Sequence, residues 1–388
     1  MEYSFDVPVN RRGTQSVKWS VEENELPMWI ADMDFASPPE VIRAVQRRAQ
    51  HGVFGYCTMP SAWGEALCGW WKRRHRFAMD PESLLFCTGV VPAVSSIVRR
   101  LTCAGESVVL QTPAYNAFFP SITNNGRHVL ENPLIYENGE YRLDFDDLER
   151  KLAAPQATLL ILCNPHNPTG KIWTKDELAH IGELCEKYHV LVLSDEIHCD
   201  LTDPGCEYIP FASVSETCRR ISVTCIAPTK TFNLAGLQSA AVMAADEGLR
   251  CRIRAGLHTD GITGLNAFAA DATIAAYTYG DAWLDALRAY IHANKCTVQA
   301  YLAENLPQIH LVPSQATYLL WLDCSALPGD KTELSAFLRE KTGLFVSAGK
   351  AYGSPDFLRM NIGCPRALVE DGLARLKTGI EAFIRENA

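Results

Sequence analysis

Short runs of consecutive apolar residues recur along much of the chain. They occupy positions 84–87, 108–110, 159–163, 190–193, 221–226 and 240–244, and segments with apolar residues at helical spacing separate them. Alternation of this kind is typical of a mostly parallel sheet whose faces are covered by helices. The pattern therefore predicts an α/β fold.

Capping signals mark two helix starts. Ser37-Pro-Pro-Glu40 offers an N-cap serine, a proline at the first helical position and a glutamate at the third, ahead of a helix that reaches Gln50. Thr174-Lys-Asp-Glu177 has the form of a capping box, which predicts an amphipathic helix through Tyr188.

The pattern changes after Gly280, where a long helical stretch begins. A strand at 317–322, a helix at 333–341 and a closing helix from Ala367 follow it, which predicts a smaller α+β domain. Residues 1–40 contain too few apolar residues for a core of their own. We therefore expect an N-terminal arm (1–40) that packs with the small domain, a large domain (41–280), and a small C-terminal domain (281–388) that begins with a joining helix (281–306).

Composition narrows the classes of function. The 388 residues carry a formal net charge of −9, which argues against nucleic acid as a partner because that binding needs a basic face. The sequence has no apolar stretch of about eighteen residues and no basic-then-apolar leader, so we expect a cytoplasmic protein without membrane contact. The 14 cysteines are irregularly spaced, so we expect reduced thiols and no bound metal.

Three predicted strands end in reactive polar residues. Asn164–Gly170, Ser194–His198 and Lys230 each follow an apolar run. Ligands of α/β proteins bind outside the carboxyl ends of the strands. We therefore expect an active site where these three segments meet.

Lys230 and Asp195 are the strongest candidates in that group. A lysine amine can bond covalently to an aldehyde, although most lysines are solvated surface charges. A carboxylate directly after a continuous apolar strand must be solvated, paired or used, and a pyridinium nitrogen would pair with Asp195.

Three residues near the first strands have both a functional and a structural interpretation. Gly89 and Val90 open a helix after the strand 84–87, where free N–H groups attract a phosphate, but a plain strand-to-helix turn is the alternative. Tyr115 follows the next strand and either lies over a flat ring or covers the core.

Three further candidates are equally open. Asn167 is either a ligand contact or an ordinary turn residue, and His198 is either near the same ring or a structural histidine. Arg359, in a strand-like segment, suits a carboxylate but also suits a structural salt bridge. Taken together, the candidates occur in the order required to hold pyridoxal phosphate and an amino acid.

Five stretches also match the sequence pattern of a known family. They are Pro27–Phe35, Cys163–Gly170, Ser194–His198, Thr229–Gly236 and Phe357–Asn361. Over essentially its whole length the chain resembles the fold type I pyridoxal-phosphate enzymes of the aminotransferase superfamily. Within them it resembles the MalY/PatB group of cystathionine β-lyases and cysteine-S-conjugate β-lyases. The resemblance implies a mostly parallel, seven-stranded large-domain sheet.

The resemblance also assigns the cofactor contacts. It implies that Lys230 holds pyridoxal phosphate covalently, that Asp195 pairs with the ring nitrogen and that Asn167 contacts the ring hydroxyl. Tyr115 would stack on the ring. The phosphate would be bound by Gly89, Val90 and Thr229, and His198 would lie near the ring hydroxyl.

The substrate contacts and a dimer follow from the same resemblance. Arg359 would take the substrate carboxylate, with Asn167 and the Trp29–Ala31 segment nearby. Tyr56 matches a catalytic tyrosine that such enzymes contribute across a subunit interface, so a homodimer is implied.

Two positions depart from the commoner aminotransferase pattern. Gln238 stands where many aminotransferases have an arginine on the cofactor phosphate, and His198 stands where they usually have tyrosine. Both fit the β-lyase group better. The expected reaction is therefore elimination of a thiol from L-cystathionine or a related cysteine S-conjugate, with pyruvate and ammonia as the other products. A pyridoxal-phosphate-dependent aminotransferase and a regulatory or binding protein on the same fold are the alternatives.

Overall fold

The computed structural model describes residues 3–387, which contain fifteen β-strands. In chain order the strands are β1 (Leu26–Pro27), β2 (Leu84–Cys87), β3 (Ser107–Thr112), β4 (His128–Pro133), β5 (Ile135–Glu137), β6 (Glu140–Arg142), β7 (Ala157–Cys163), β8 (Leu191–Asp195), β9 (Ser222–Ile226), β10 (Ala240–Met243), β11 (His310–Leu311), β12 (Leu319–Asp323), β13 (Leu344–Phe345), β14 (Ser347–Ala348) and β15 (Phe357–Asn361). Every strand predicted from an apolar run is present.

Thirteen α-helices lie within the same residues. They are α1 (Pro39–Gln50), α2 (Ser61–His75), α3 (Val90–Leu101), α4 (Phe118–Thr123), α5 (Phe145–Leu152), α6 (Lys175–Lys187), α7 (Glu216–Ile221), α8 (Pro228–Thr231), α9 (Glu247–Thr259), α10 (Ala269–Tyr279), α11 (Asp281–Asn305), α12 (Leu334–Thr342) and α13 (Arg366–Asn387). Nowhere between residues 3 and 387 does a helix have the length and apolar character needed to cross a membrane.

The large sheet has seven strands in the order β2-β10-β9-β8-β7-β3-β4. Only β10 runs antiparallel to its neighbours, and the remaining pairs are parallel. The predicted α/β class with a mostly parallel seven-stranded sheet is therefore confirmed.

Helices cover both faces of this sheet, which explains why its strands are continuously apolar. Along β7, Leu159, Ile161 and Cys163 pack on the face covered by α3 and α9, whereas Leu160 and Leu162 pack on the opposite face. Successive strand side chains point to opposite faces, and both faces are buried, so a charged side chain between the strand ends would lose its solvation. The reactive residues are consequently confined to the strand ends.

A second, antiparallel sheet of four strands, in the order β11-β12-β15-β14, lies in the C-terminal third of the chain. The continuous helix α11 precedes it, at the place where the joining helix was predicted. The N-terminal arm adds a parallel pairing between β1 and β13. The domain boundaries at residues 40 and 280 stay a prediction.

The first helix starts differently from the prediction. The prediction that Ser37 is the N-cap was wrong, because Pro38 occupies that position. The Ser37 hydroxyl instead donates a hydrogen bond to Asn233 O at 3.4 Å. A residue that precedes proline is pushed out of the helical region, so Pro38 before Pro39 must lie outside the helix. The capping box at Thr174 and Glu177 is present as predicted, with both hydrogen bonds formed.

Candidate active site

Lys230 lies on the short helix α8, directly after the buried strand β9. Its Nζ donates a hydrogen bond to Ala31 O at 2.5 Å. Burial lowers the pKa of Lys230 to about 8, because the charged ammonium is poorly solvated there; Asp32 acts in the opposite direction. A fraction of the amine is therefore neutral and nucleophilic near neutral pH.

Asp195 is the last residue of β8 and lies in register between Cys163 of β7 and Cys225 of β9. Its carboxylate accepts one hydrogen bond, from the backbone N–H of Ile197 at 3.1 Å. Burial raises the pKa of Asp195 to about 6, although this hydrogen bond and Lys230 favour the charged form. A cation placed beside the carboxylate would remove much of this cost of burial.

Asn167 is positioned by the turn that follows β7. The turn ends at Gly170, whose φ of +70° is left-handed, and an added Cβ there would lie 2.5 Å from the Cβ of Ser314. Glycine is therefore required at this position. The turn is also fixed by Asn164, whose backbone N–H donates to Asp195 O at 2.9 Å. Asn167 and Asp195 are thus held in one rigid arrangement.

Arg359 lies on β15 with 3% of its surface exposed. One guanidinium nitrogen donates to Asn167 Oδ1 at 3.1 Å and another to Trp29 O at 3.0 Å. The guanidinium also lies 4.7 Å from the ring centre of Tyr352, and its Nε has no hydrogen-bond partner. Burial lowers the pKa of Arg359. The guanidinium of Arg359 thus donates to an amide oxygen and a backbone carbonyl, neither of which is a carboxylate, and its role in substrate binding stays a prediction.

His198 is buried, and its Nδ1 has no hydrogen-bond partner. Burial lowers its pKa to about 3, and the positive charges of Lys230 and Arg359 act in the same direction. The ring is therefore neutral at physiological pH. A neutral imidazole with a free nitrogen can donate or accept one hydrogen bond toward a ligand.

These groups surround one cavity of about 200 Å³. Its walls contain nine of the residues predicted from the sequence: Ala31, Gly89, Val90, Tyr115, Asn167, Asp195, His198, Thr229 and Lys230. Arg359 adjoins the cavity through Asn167. Tyr56 does not line it and is fully exposed on the single chain.

The residues present fit pyridoxal phosphate. The unpaired charge of Asp195 suits a protonated ring nitrogen, and the amine of Lys230 lines the same cavity. The start of α3, with Gly89 as its N-cap, presents helix N–H groups that lack intrahelical partners, and these suit a phosphate. The free nitrogen of His198 provides a further polar contact.

Some lining residues were missed at first. Six more residues line the cavity: Thr88, Val91, Pro92, Cys163, Ile197 and Ala235. All six lie within or beside motifs that were recognised, but neither a threonine nor an apolar side chain beside a motif gives a signal of its own. Cys163, at the end of the apolar run 159–163, is both buried and part of the cavity wall.

The lowered pKa of Lys230 predicts how fast the cofactor-free protein captures pyridoxal phosphate. Capture needs the neutral amine, so its rate is expected to rise about tenfold per pH unit below pH 8 and to level off above it. Stopped-flow absorbance measures this rate, and Nα-acetyl-lysine serves as the solvated reference. A protein rate that levels off only near pH 10.5, the ordinary value for lysine, would contradict the effect of burial.

Comparisons with known proteins show which proteins this chain resembles in sequence and in fold. The sequence matches the family described as aminotransferase class I and II over residues 25–376. It is 44% identical to cystathionine β-lyase PatB of Bacillus subtilis, with 97% of this chain and 100% of that protein covered. It is 35% identical to protein MalY of Escherichia coli, with 98% and 99% covered. The structure superposes on the PLP-bound C–S lyase of Staphylococcus hominis with a TM-score of 0.91 at 30% identity, covering 98% of each chain.

Proposed function

Because this chain belongs to the class I and II aminotransferase family and is a pyridoxal-phosphate-dependent carbon–sulfur β-lyase, we propose that Lys230, Asp195 and Arg359 carry out its reaction. The substrate is L-cystathionine or a related cysteine S-conjugate. The observation that supports these roles is the cavity: a lysine of lowered pKa and an unpaired buried carboxylate line it, and a buried arginine adjoins it through Asn167.

Each residue has a distinct task. Arg359 binds the substrate carboxylate with its planar guanidinium and so fixes the position of the α-carbon. The neutral amine of Lys230 removes the α-proton. Pyridoxal phosphate, when bound, supplies the electron sink that this proton removal requires. Asp195 keeps a negative charge next to the ring nitrogen. Asn167 orients Arg359 through the hydrogen bond already described.

The overall reaction balances with one water. The Cα–H and Cβ–S bonds break, the sulfur leaves as a thiolate that gains a proton, and the remaining three-carbon fragment is hydrolysed to pyruvate and ammonia. Transamination would leave the Cβ–S bond intact and would need a keto acid to accept the amino group. Leaving-group chemistry therefore separates the two reactions.

Purified protein loaded with pyridoxal phosphate is expected to convert each mole of L-cystathionine into one mole each of pyruvate, ammonia and homocysteine without added keto acid. Lactate dehydrogenase coupling measures pyruvate, and a thiol reagent measures homocysteine. L-Alanine, which has no leaving group, is the matched control and should turn over slowly at most. Turnover that requires 2-oxoglutarate or pyruvate and releases no thiol would favour the aminotransferase alternative.

We also propose a homodimer in which Tyr56 acts in the site of the partner subunit. Its support is that Tyr56 is exposed on the single chain, next to the exposed apolar residues Val53 and Phe54. Mixing inactive Lys230→Ala subunits with weakened Tyr56→Phe subunits should restore activity in mixed dimers. Absence of complementation, with mixed dimers demonstrated, would place Tyr56 outside the partner's site.

A further inference from the structure

The segment Trp29–Met33 reaches the cavity at Ala31 and forms neither a helix nor a strand. Its five consecutive carbonyl groups each accept hydrogen bonds from side chains that are distant in sequence. Each carbonyl has its own donors: Trp29 O accepts from Arg359 and Ser347, Ile30 O from Asn361, Ala31 O from Lys230 and Tyr318, Asp32 O from Lys18 and Asn361, and Met33 O from Arg11 and Asn233. The shape of this segment therefore depends on side-chain donors, since it has no ladder of its own.

Two of these donors belong to the proposed catalytic set. Lys230 donates to Ala31 O and Arg359 donates to Trp29 O. If Lys230 bonds to the cofactor, as the proposed function requires, Ala31 O loses that donor, and Arg359, whose Nε is free, takes the substrate carboxylate as a further partner. The segment must then be held by donors that take no part in the chemistry.

The N-terminal arm supplies two charged donors, Arg11 and Lys18. Together with the carboxylates of Asp32 and Asp34 they form a cluster of four charged residues. Arg11 contacts Asp32 at 2.7 Å and Asp34 at 2.8 Å, and Lys18 contacts Asp34 at 2.7 Å. Lys18 is 1% exposed and Asp34 3%. The positive and negative charges balance, as a buried group of ions requires.

This cluster is attached directly to the segment. Asp32 is itself a residue of the segment Trp29–Met33. Lys18 also donates to Asp32 O at 3.2 Å, and Arg11 also donates to Met33 O at 3.1 Å. Each cation therefore binds a carboxylate and a backbone carbonyl together. Bonds to charged groups are stronger than neutral ones and cost more to leave unpaired.

We propose that Arg11 and Lys18 are positioning residues that hold Trp29–Met33 in place while Lys230 gives up its bond to Ala31 O and Arg359 takes on the substrate carboxylate. They act through the segment and do not touch the substrate. The proposal predicts that loss of Arg11 loosens residues 29–33 more in the cofactor-loaded enzyme than in the free protein, because only the loaded enzyme has lost the hydrogen bond from Lys230 to Ala31 O.

The test compares Arg11→Gln with Arg12→Gln in the full-length holoenzyme. Arg12 is a matched control because it adjoins Arg11 but donates to the backbone carbonyls of residues 21, 22, 23 and 25, and it contacts neither Asp32 nor Asp34. Its guanidinium covers the ring of Trp19, which donates to Asp34, so its link to the cluster is indirect. Amide hydrogen exchange of residues 29–33 is measured with and without pyridoxal phosphate, together with cofactor affinity, thermal midpoint, kcat and KM. Arg11→Lys retains the charge and serves as the conservative variant.

For Arg11→Gln we expect faster exchange at residues 29–33 mainly in the cofactor-loaded protein, and a kcat/KM lowered roughly ten- to a hundredfold through KM. Cofactor affinity should stay within about twofold of the original. Arg12→Gln should show neither effect, and Arg11→Lys should recover part of KM. Equal effects of both glutamine variants, or equal exchange with and without cofactor, would overturn the proposal. Because exchange is read with pyridoxal phosphate alone, failure of the lyase assignment would leave this result independent.

Discussion

Replacing Lys230 with alanine is expected to lower kcat by at least about 10⁴-fold, since the same amine binds the cofactor and removes the α-proton. The variant should still fold. Lys230 makes one hydrogen bond, to Ala31 O, and Tyr318 also donates to that oxygen, at 3.2 Å, so no acceptor is left unpaired. The loss therefore lies in the chemistry and leaves stability largely unchanged.

Steady-state thiol release measures this effect, and the exposed Lys187→Ala is the control for loss of a lysine far from the cavity. Borohydride treatment of the original protein followed by peptide mass analysis should find the cofactor attached at Lys230. Appreciable activity in Lys230→Ala, or attachment at another lysine, would contradict its assigned role.

The second large effect is expected for Arg359→Ala. Removing one partner of a desolvated charge pair costs about 2–5 kcal/mol, which corresponds to a loss of substrate affinity of roughly 30-fold or more. Cofactor binding should persist, because Asp195 ends β8 and Lys230 lies on α8, whereas Arg359 lies on β15 of the other sheet.

Initial rates over a range of cystathionine concentrations measure this change as a rise in KM. Arg359→Lys retains the charge but loses the planar fork that reaches both Asn167 and Trp29, so it should recover only part of the affinity. An unchanged KM in Arg359→Ala would remove this residue from the substrate site.

Six of the seven strands of the large sheet could be predicted because their sequences are continuous apolar runs. The edge strand β4 was missed because His128–Pro133 contains polar residues and is only partly buried. Ser37 illustrates a different limit. Its sequence matched a capping signal, but the geometry imposed by the two following prolines moved the helix start.

The same contrast holds for the site. Asp195 and Lys230 could be found because a charged residue after an apolar strand is conspicuous in the sequence. The carbonyl groups of Trp29 and Ala31 could not, since every residue has one and only the fold selects those that bind Arg359 and Lys230. Arg11 and Lys18 gave no signal for a similar reason: arginine and lysine are common on protein surfaces, and only the fold places these two against Asp32 and Asp34.

Cys163 has a consequence for an enzyme that releases thiols. It lines the cavity beside Asp195, where any disulfide formed from released thiol would meet it. Burial and the neighbouring Asp195 raise the pKa of Cys163 well above its ordinary value, so the sulfur remains protonated. Thiol–disulfide exchange proceeds through the thiolate. The burial that raises the pKa of Cys163 therefore disfavours a mixed disulfide between this cysteine and a disulfide of the released thiol.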